Sequence, residues 1–227
     1  FWYLNSTSPS KVTGEDTSLE VGDKVLGNTA SAILQVRDHL NRETIDQAVR
    51  LISEAERVEF YAVGHFGSVA DDAQFKLLRM GVSSASYTVP RLQALAANML
   101  RPGVVAVVIS GSGRIDELLD VVDAAHERGA VVIAITASQS PLARKADVAL
   151  IVDHAEDVEL HLPMVSRVLH LLMVDIVTVG MSMQRGESLA PPAGSEMDEP
   201  RLEPRARSVA PGVSAASPLA NITSHSH

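Results

Sequence analysis

The spacing of apolar residues along the chain changes character near residue 57. From about Asn28 the rhythm is helical: Ile33, Leu34, Arg37 and Leu40 share one face, and Ile45, Ala48, Val49 and Ile52 repeat the i, i+3, i+4, i+7 spacing. Two short helices are predicted there. Val58 to Val63 then reads as a strand running into Gly64. Ala70, Ala73, Leu77 and Met80 form a helical stripe that stops at Gly81, a residue suited to the left-handed turn after a helix. A second strand, Ser84 to Val89, precedes a helix carrying Leu92, Leu95, Ala96 and Met99, closed by Pro102-Gly103. Val104 to Ile109 is unbroken and mostly β-branched, the mark of a strand covered on both faces. A helix with Leu118, Leu119, Val122 and Ala125 ends at Gly129, and Val131–Thr136 and Val148–Val152 supply two more strands. Pro163 is suited to open a long last helix with Val165, Val168, Leu169, Leu172, Ile176 and Val179 turned inward.

Strands alternating with helices of about a dozen residues imply right-handed crossovers and a parallel sheet. The predicted fold is α/β: a three-layer α/β/α sandwich around a five-stranded parallel sheet, with two N-terminal helices. Residues 1–27 are expected to be an irregular lead-in or linker, and residues 28–186 one domain. Residues 187–227 hold many Pro, Ser, Ala and Gly without an apolar period, and a disordered tail is expected. Its closing Ser224-His225-Ser226-His227 is expected to be inert rather than a metal site.

Composition narrows the chemistry. Hydrophobic residues make up 46% of the 227 residues but aromatic ones only 4%, so the core must be aliphatic. The formal charge of -9 repels nucleic-acid phosphates at long range, so any anion site has to be local, built from backbone N–H groups and hydroxyls. The absence of cysteine excludes disulfides and thiol catalysis and fits a cytoplasmic location. Phe1-Trp2-Tyr3-Leu4 is too short and uncharged for a signal peptide. The apolar stretch Leu169–Val179 is broken by His170 and Asp175 and falls short of the ~20 residues of a membrane span, so no membrane role is expected. The first residue is not Met, and the chain reads as a fragment.

In open α/β sheets ligands bind beyond the carboxyl ends of the strands. Three loops there carry candidate chemistry: Gly64-His65-Phe66-Gly67-Ser68, Ser110-Gly111-Ser112-Gly113-Arg114, and Thr136-Ala137-Ser138-Gln139-Ser140-Pro141. The second combines two glycines, two hydroxyls, the start of a helix and Arg114, which together make an anion cradle with phosphate the leading anion. It lacks the Lys-Ser/Thr ending of a nucleotide-triphosphate loop, and the first loop lacks the G-x-G-x-x-G dinucleotide fingerprint. The ligand-binding residues predicted are Ser110, Gly111, Ser112, Gly113, Arg114, Gly64, His65, Ser68 and Ser138. No residue is assigned a catalytic role, and no metal or cofactor is expected. The dense ligand types at His154, Glu156, Asp157, Glu159 and His161 read as a charged surface loop.

Five segments in order bring a family into view: Phe60-Tyr61-Ala62-Val63-Gly64, Asp72 to Gly81, Ile109 to Arg114, Ser140-Pro141-Leu142-Ala143, and Pro163-Met164-Val165-Ser166-Arg167. From about Leu26 to Arg185 the chain resembles a sugar isomerase (SIS) domain, and more closely the effector domain of RpiR/HexR-type bacterial transcription regulators. The resemblance implies a flavodoxin-like, phosphosugar-sensing domain, dimeric or higher. In the HexR branch the effector is 2-keto-3-deoxy-6-phosphogluconate and the genes controlled serve glucose catabolism. Ser110, Ser112 and Gly113 match the family's phosphate loop. The chain departs from the pattern at Phe66, where the family has a serine (Ser68 lies two residues late), and at Ile115, where it has Thr or Ser. Nothing in residues 1–27 can form the family's helix-turn-helix, so as given the chain is expected to sense a ligand and dimerise, with DNA read only through a domain absent from it. A truncated, fused or split product would explain this.

Two alternatives stay open. The same fold serves aldose–ketose phosphosugar isomerases, which need a general base, and Glu117 and His161 are the candidates. A ligand-silent dimerisation module is the other, given Phe66 and Ile115. The last helix is apolar on more than one face, which predicts burial against a second copy in a homodimer.

Overall fold

The computed structural model describes residues 11–154 and 165–186. The expected tail, His161, Pro163, Glu156, Asp157 and Glu159 lie outside the described residues.

The first helix, α1, spans Ser18–Asp38 and so opens well before the Asn28 expected, shortening the irregular lead-in. Its start is set by a capping box. The Thr17 hydroxyl accepts from the Glu20 N–H, and the Glu20 carboxylate accepts from the Thr17 N–H at 2.8 Å. Leu19 and Leu26 are exposed in this first half, which therefore shows no apolar face. Helix α2, Arg42–Glu54, is capped by Asn41 and buries Ala48, Val49 and Ile52.

The expected five-stranded parallel sheet follows: β1 (Arg57–Ala62), β2 (Ser84–Tyr87), β3 (Val104–Ser110), β4 (Val131–Thr136) and β5 (Val148–Ile151), in the order β2-β1-β3-β4-β5. Every residue of central β3 is buried. Its period of two splits the core: Val105, Val107 and Ile109 join one cluster, while Val104, Ala106 and Val108 join the other. The first cluster packs under α2, α3 (Gly67–Arg79) and α7 (Val165–Gln184). The second packs under α4 (Pro90–Ala97), α5 (Asp116–Glu127) and the short α6 (Pro141–Lys145). Turning each helix back onto the sheet needs left-handed residues, and Gly81 and Gly129 supply them at φ +72° and +74°.

Helix α7 differs from expectation in its rotation. Val165 and Leu169 do face the core, but the buried stripe continues through Met173, Val174, Val177 and Met181. Leu172 and Ile176 are only half-buried, and Val179 is 44% exposed. At its 20 residues α7 is long and apolar enough by composition to cross a membrane, yet it packs against α1, α2 and α3. Asp175 pairs with Lys76 on α3 at 2.5 Å. Close approach to α2 leaves no room at Gly180, where a Cβ would lie 2.9 Å from Val49 Cγ2.

Leu169 is 1% exposed in the larger cluster. Its replacement by alanine should cost about 2–5 kcal/mol, read as a lowered urea midpoint with unchanged slope.

Candidate functional site

The sheet order decides where a crevice opens. From β1 the chain crosses by α3 to β2, whereas from β3 it crosses by α5 to β4 on the opposite face. The loops leaving β1 and β3 therefore diverge, and the space between them is the topological switch point. Two of the three loops singled out from sequence stand there, and the third is next to them on β4.

The β3 loop is folded by its own hydroxyls. Ser110 is 1% exposed, and its Oγ accepts from the Gly113 N–H at 3.0 Å. Ser112 is exposed, and its Oγ accepts from the Arg114 N–H at 3.4 Å. Gly113 has φ +60°, and a Cβ on it would lie 2.5 Å from Thr136 Oγ1 and 2.6 Å from Ser140 Cβ. Its carbonyl accepts from the Leu142 N–H at 3.1 Å. The β3 loop is thus seated directly on the β4 loop, which no larger residue than glycine would permit. Arg114 is exposed at its rim.

Ile115 occupies the N-cap of α5 and makes no side-chain cap. A hydroxyl at this position would accept from a first-turn N–H, so the departure from the family pattern withholds a cap. Asp116 and Glu117 stand in the first turn, where negative charge complements the helix dipole.

On the β1 side Gly64 has φ +60°, and His65 and Ser68 are exposed, with Ser68 Oγ donating to the His65 carbonyl at 2.9 Å. Phe66 turns inward and is 6% exposed. Its ring lies against the β3 loop, where a Cβ on Gly111 would meet Phe66 Cζ at 2.7 Å and Ser166 Oγ at 3.3 Å. On the β4 side Ser138 is exposed, and its N–H donates to Asp153 Oδ1 at 2.7 Å. Ser140 is buried and caps α6 by accepting from the Ala143 N–H at 3.0 Å.

Two clusters result. Gly113, held by Ser110, meets Thr136 and Ser140, and Gly111 meets Phe66 and Ser166, with His170 against the far side of the Phe66 ring. Gly64, His65, Ser68, Ser112, Arg114 and Ser138 ring them from the exposed side. Sequence reasoning named the β4 loop but not the inward role of Thr136 and Ser140. His170, which in the sequence reads as a break in an apolar stretch, is fully buried. No residue type signalled this, because the partner of His170 Nδ1, at 2.8 Å, is the backbone carbonyl of Ser166. Burial pushes the His170 imidazole down to about 4 from its ordinary 6.5, and nearby His65 adds to the shift.

That shift links stability to pH. The unfolded chain takes up a proton at His170 near pH 6.5 and the folded chain only near pH 4, so folding is favoured above 6.5 and loses ground as pH falls between the two. Wild-type protein should lose about 3 kcal/mol through this group between pH 7 and 4. In His170→Phe that part of the loss should vanish, as measured by urea unfolding at several pH values.

A family model described as the SIS domain matches residues 51–180. The bifunctional protein glk of Burkholderia thailandensis is 48% identical over 178 residues, which cover 78% of this chain and 28% of that protein. The HTH-type transcriptional regulator HexR of Pseudomonas aeruginosa is 34% identical over 168 residues, covering 74% of this chain and 59% of the regulator. The chain thus spans between about a quarter and three-fifths of these relatives. Among solved structures, the Vibrio vulnificus NanR protein complexed with ManNAc-6P shares the fold at a TM-score of 0.70 and 20% identity, over 74% of this chain and 64% of that one. With a family match across most of the α/β sandwich, the chain belongs to the SIS domain family.

Proposed function

We propose that the crevice between the β1 and β3 loops holds a phosphorylated sugar or sugar acid and that the domain serves as the sensing part of a carbohydrate-responsive transcription regulator. The observation that carries the reading is the β3 loop itself. Exposed Ser112 and Arg114 stand on the loop that leads into the N-terminus of α5, a polar site in an otherwise acidic protein. Regulation is supported by the HexR relative, whose name makes it a transcriptional regulator, and a phosphosugar by NanR, whose structure holds ManNAc-6P. The resemblance to HexR makes 2-keto-3-deoxy-6-phosphogluconate the leading ligand and glucose catabolism the process. DNA would be read by a helix-turn-helix domain of the same regulator, and the domain would work in the cytoplasm. A sensor is favoured over an isomerase because proton abstraction needs a positioned base, whereas Glu117 stands exposed at the first turn of α5.

The domain is proposed to work as a homodimer. Beside α1, α7 lines an apolar groove of about 530 Å³ with Leu172, Ile176 and Val179, faced by Ile33, Val36 and Leu40. Greasy residues on a second face of a long helix are accounted for by a second copy.

Thermal unfolding with a panel of phosphorylated sugars and sugar acids tests the ligand. At about a hundred times its dissociation constant a ligand stabilises the native state by roughly 2.7 kcal/mol, a visible shift. Ser112→Ala should reduce the shift without lowering the ligand-free midpoint. No shift with any member would instead indicate a ligand-silent dimerisation module.

Sedimentation tests the dimer. Wild-type protein should run as a dimer and Val179→Lys should move it toward monomer, while a monomeric wild type would refute the pairing.

A further inference from the structure

At the switch point three aromatic rings run from the surface into the core. His65 is exposed, and its ring lies 4.0 Å from that of Phe66, centroid to centroid. Phe66 in turn lies 4.6 Å from His170, which is 0% exposed. The contact between His170 Nδ1 and the Ser166 carbonyl fixes the tautomer. A carbonyl only accepts, so Nδ1 carries the proton and Nε2 of the neutral ring is an acceptor. That Nε2 is buried and has no hydrogen-bond partner among the described residues. Buried polar atoms are rarely left so, and a phenylalanine would fill the same space without the cost.

On the loop side the imidazole packs against the ring of Phe66, which lies between His170 and Gly111. Phe66 closes a three-residue 3-10 turn, Gly64–Phe66, that has no side-chain cap, begins at a glycine and runs at Gly67 into α3. A ring on such a turn can swing without breaking a strand or long-helix hydrogen bond. Gly111, lacking a side chain, leaves the ring's present seat open to a ligand once the ring has left.

We propose that His170 Nε2 is a hydroxyl-reading subsite of the phosphate-loop crevice and that Phe66 is its movable cover. The ligand displaces the ring, and one of its hydroxyls donates to Nε2. This rests on the reading of the crevice as a phosphosugar site and sharpens it. A ligand presenting only a keto or carboxylate oxygen at that point cannot pair with an acceptor, so the subsite selects sugars with a hydroxyl there.

The cover is tested without ligand, by nitrogen-15 NMR titration of His170 in wild type and in Phe66→Ala. His65 is the titratable neighbour whose charge acts on it. The wild-type midpoint is expected near 4, and exposure in Phe66→Ala should raise it toward 6.5. An unmoved midpoint in folded Phe66→Ala would overturn the cover. The subsite is tested by calorimetry with the phosphosugar panel. His170→Phe should weaken the best hydroxylated ligand about tenfold, the scale of one lost hydrogen bond. His170→Gln, which keeps an acceptor, should recover part of the loss, and the wild-type Nε2 resonance should move on saturation. If Ser112→Ala weakens binding while His170→Phe does not, and the resonance stays still, the subsite is wrong and the sensing role stands. If neither wild type nor Phe66→Ala binds any panel member, the sensing role falls and the subsite with it.

Discussion

The site depends on one close approach, that of Gly113 to Thr136 and Ser140. Strands β3 and β4 pair in register up to Ser110 and Thr136, so their loops leave the sheet side by side. Both cannot lie flat over the strand ends unless one gives up its side chain, and Gly113 does so at φ +60°. Once it is seated, Ser110 Oγ can take the Gly113 N–H and the Gly113 carbonyl can take that of Leu142. The hydroxyls of Ser110 and Ser140 are thereby occupied in holding the loops. Exposed Ser112 and Arg114 remain on the side from which a ligand would come.

The two departures from the family pattern act differently on this frame. Ile115 alters a helix end: it sits at the N-cap of α5 and leaves that end without a side-chain cap. Phe66 alters the packing of the crevice wall, since its ring takes space beside Gly111 that a serine would leave open. An N-cap loss is a local matter of about 1 kcal/mol. A buried ring commits the wall to one shape, and so weighs more on which ligand enters.

The strands were legible because a parallel sheet covered on both faces demands continuous β-branched runs, and Val104–Ile109 is such a run. The three loops followed from the sheet, since ligand sites lie at strand carboxyl ends. What stayed hidden had physical reasons. The first half of α1 is held by the Thr17–Glu20 box, with Leu19 and Leu26 exposed, so apolar periodicity had nothing to report. In α7 nearly every position is apolar, and periodicity then permits several rotations. The packing against Val49 at Gly180 selects the one that buries Met173, Val177 and Met181. His170 looked like a polar interruption because its partner is a backbone carbonyl one turn earlier, invisible in residue types.

Helix α7 joins features that would otherwise be separate. Ser166 and His170 stand in its first turns against the β1 and β3 loops, while Leu172, Ile176 and Val179 line the groove beside α1. At 1.5 Å per residue, His170 and Val179 are about 13–14 Å apart along one continuous helix. A packed helix moves as a body more readily than it bends, because its interior is close to crystal density. A ligand that takes the place of the Phe66 ring at His170 therefore bears on the same element that would meet a second subunit. Such a helix carries regulation only where a ligand binds alternative placements of it with different affinity.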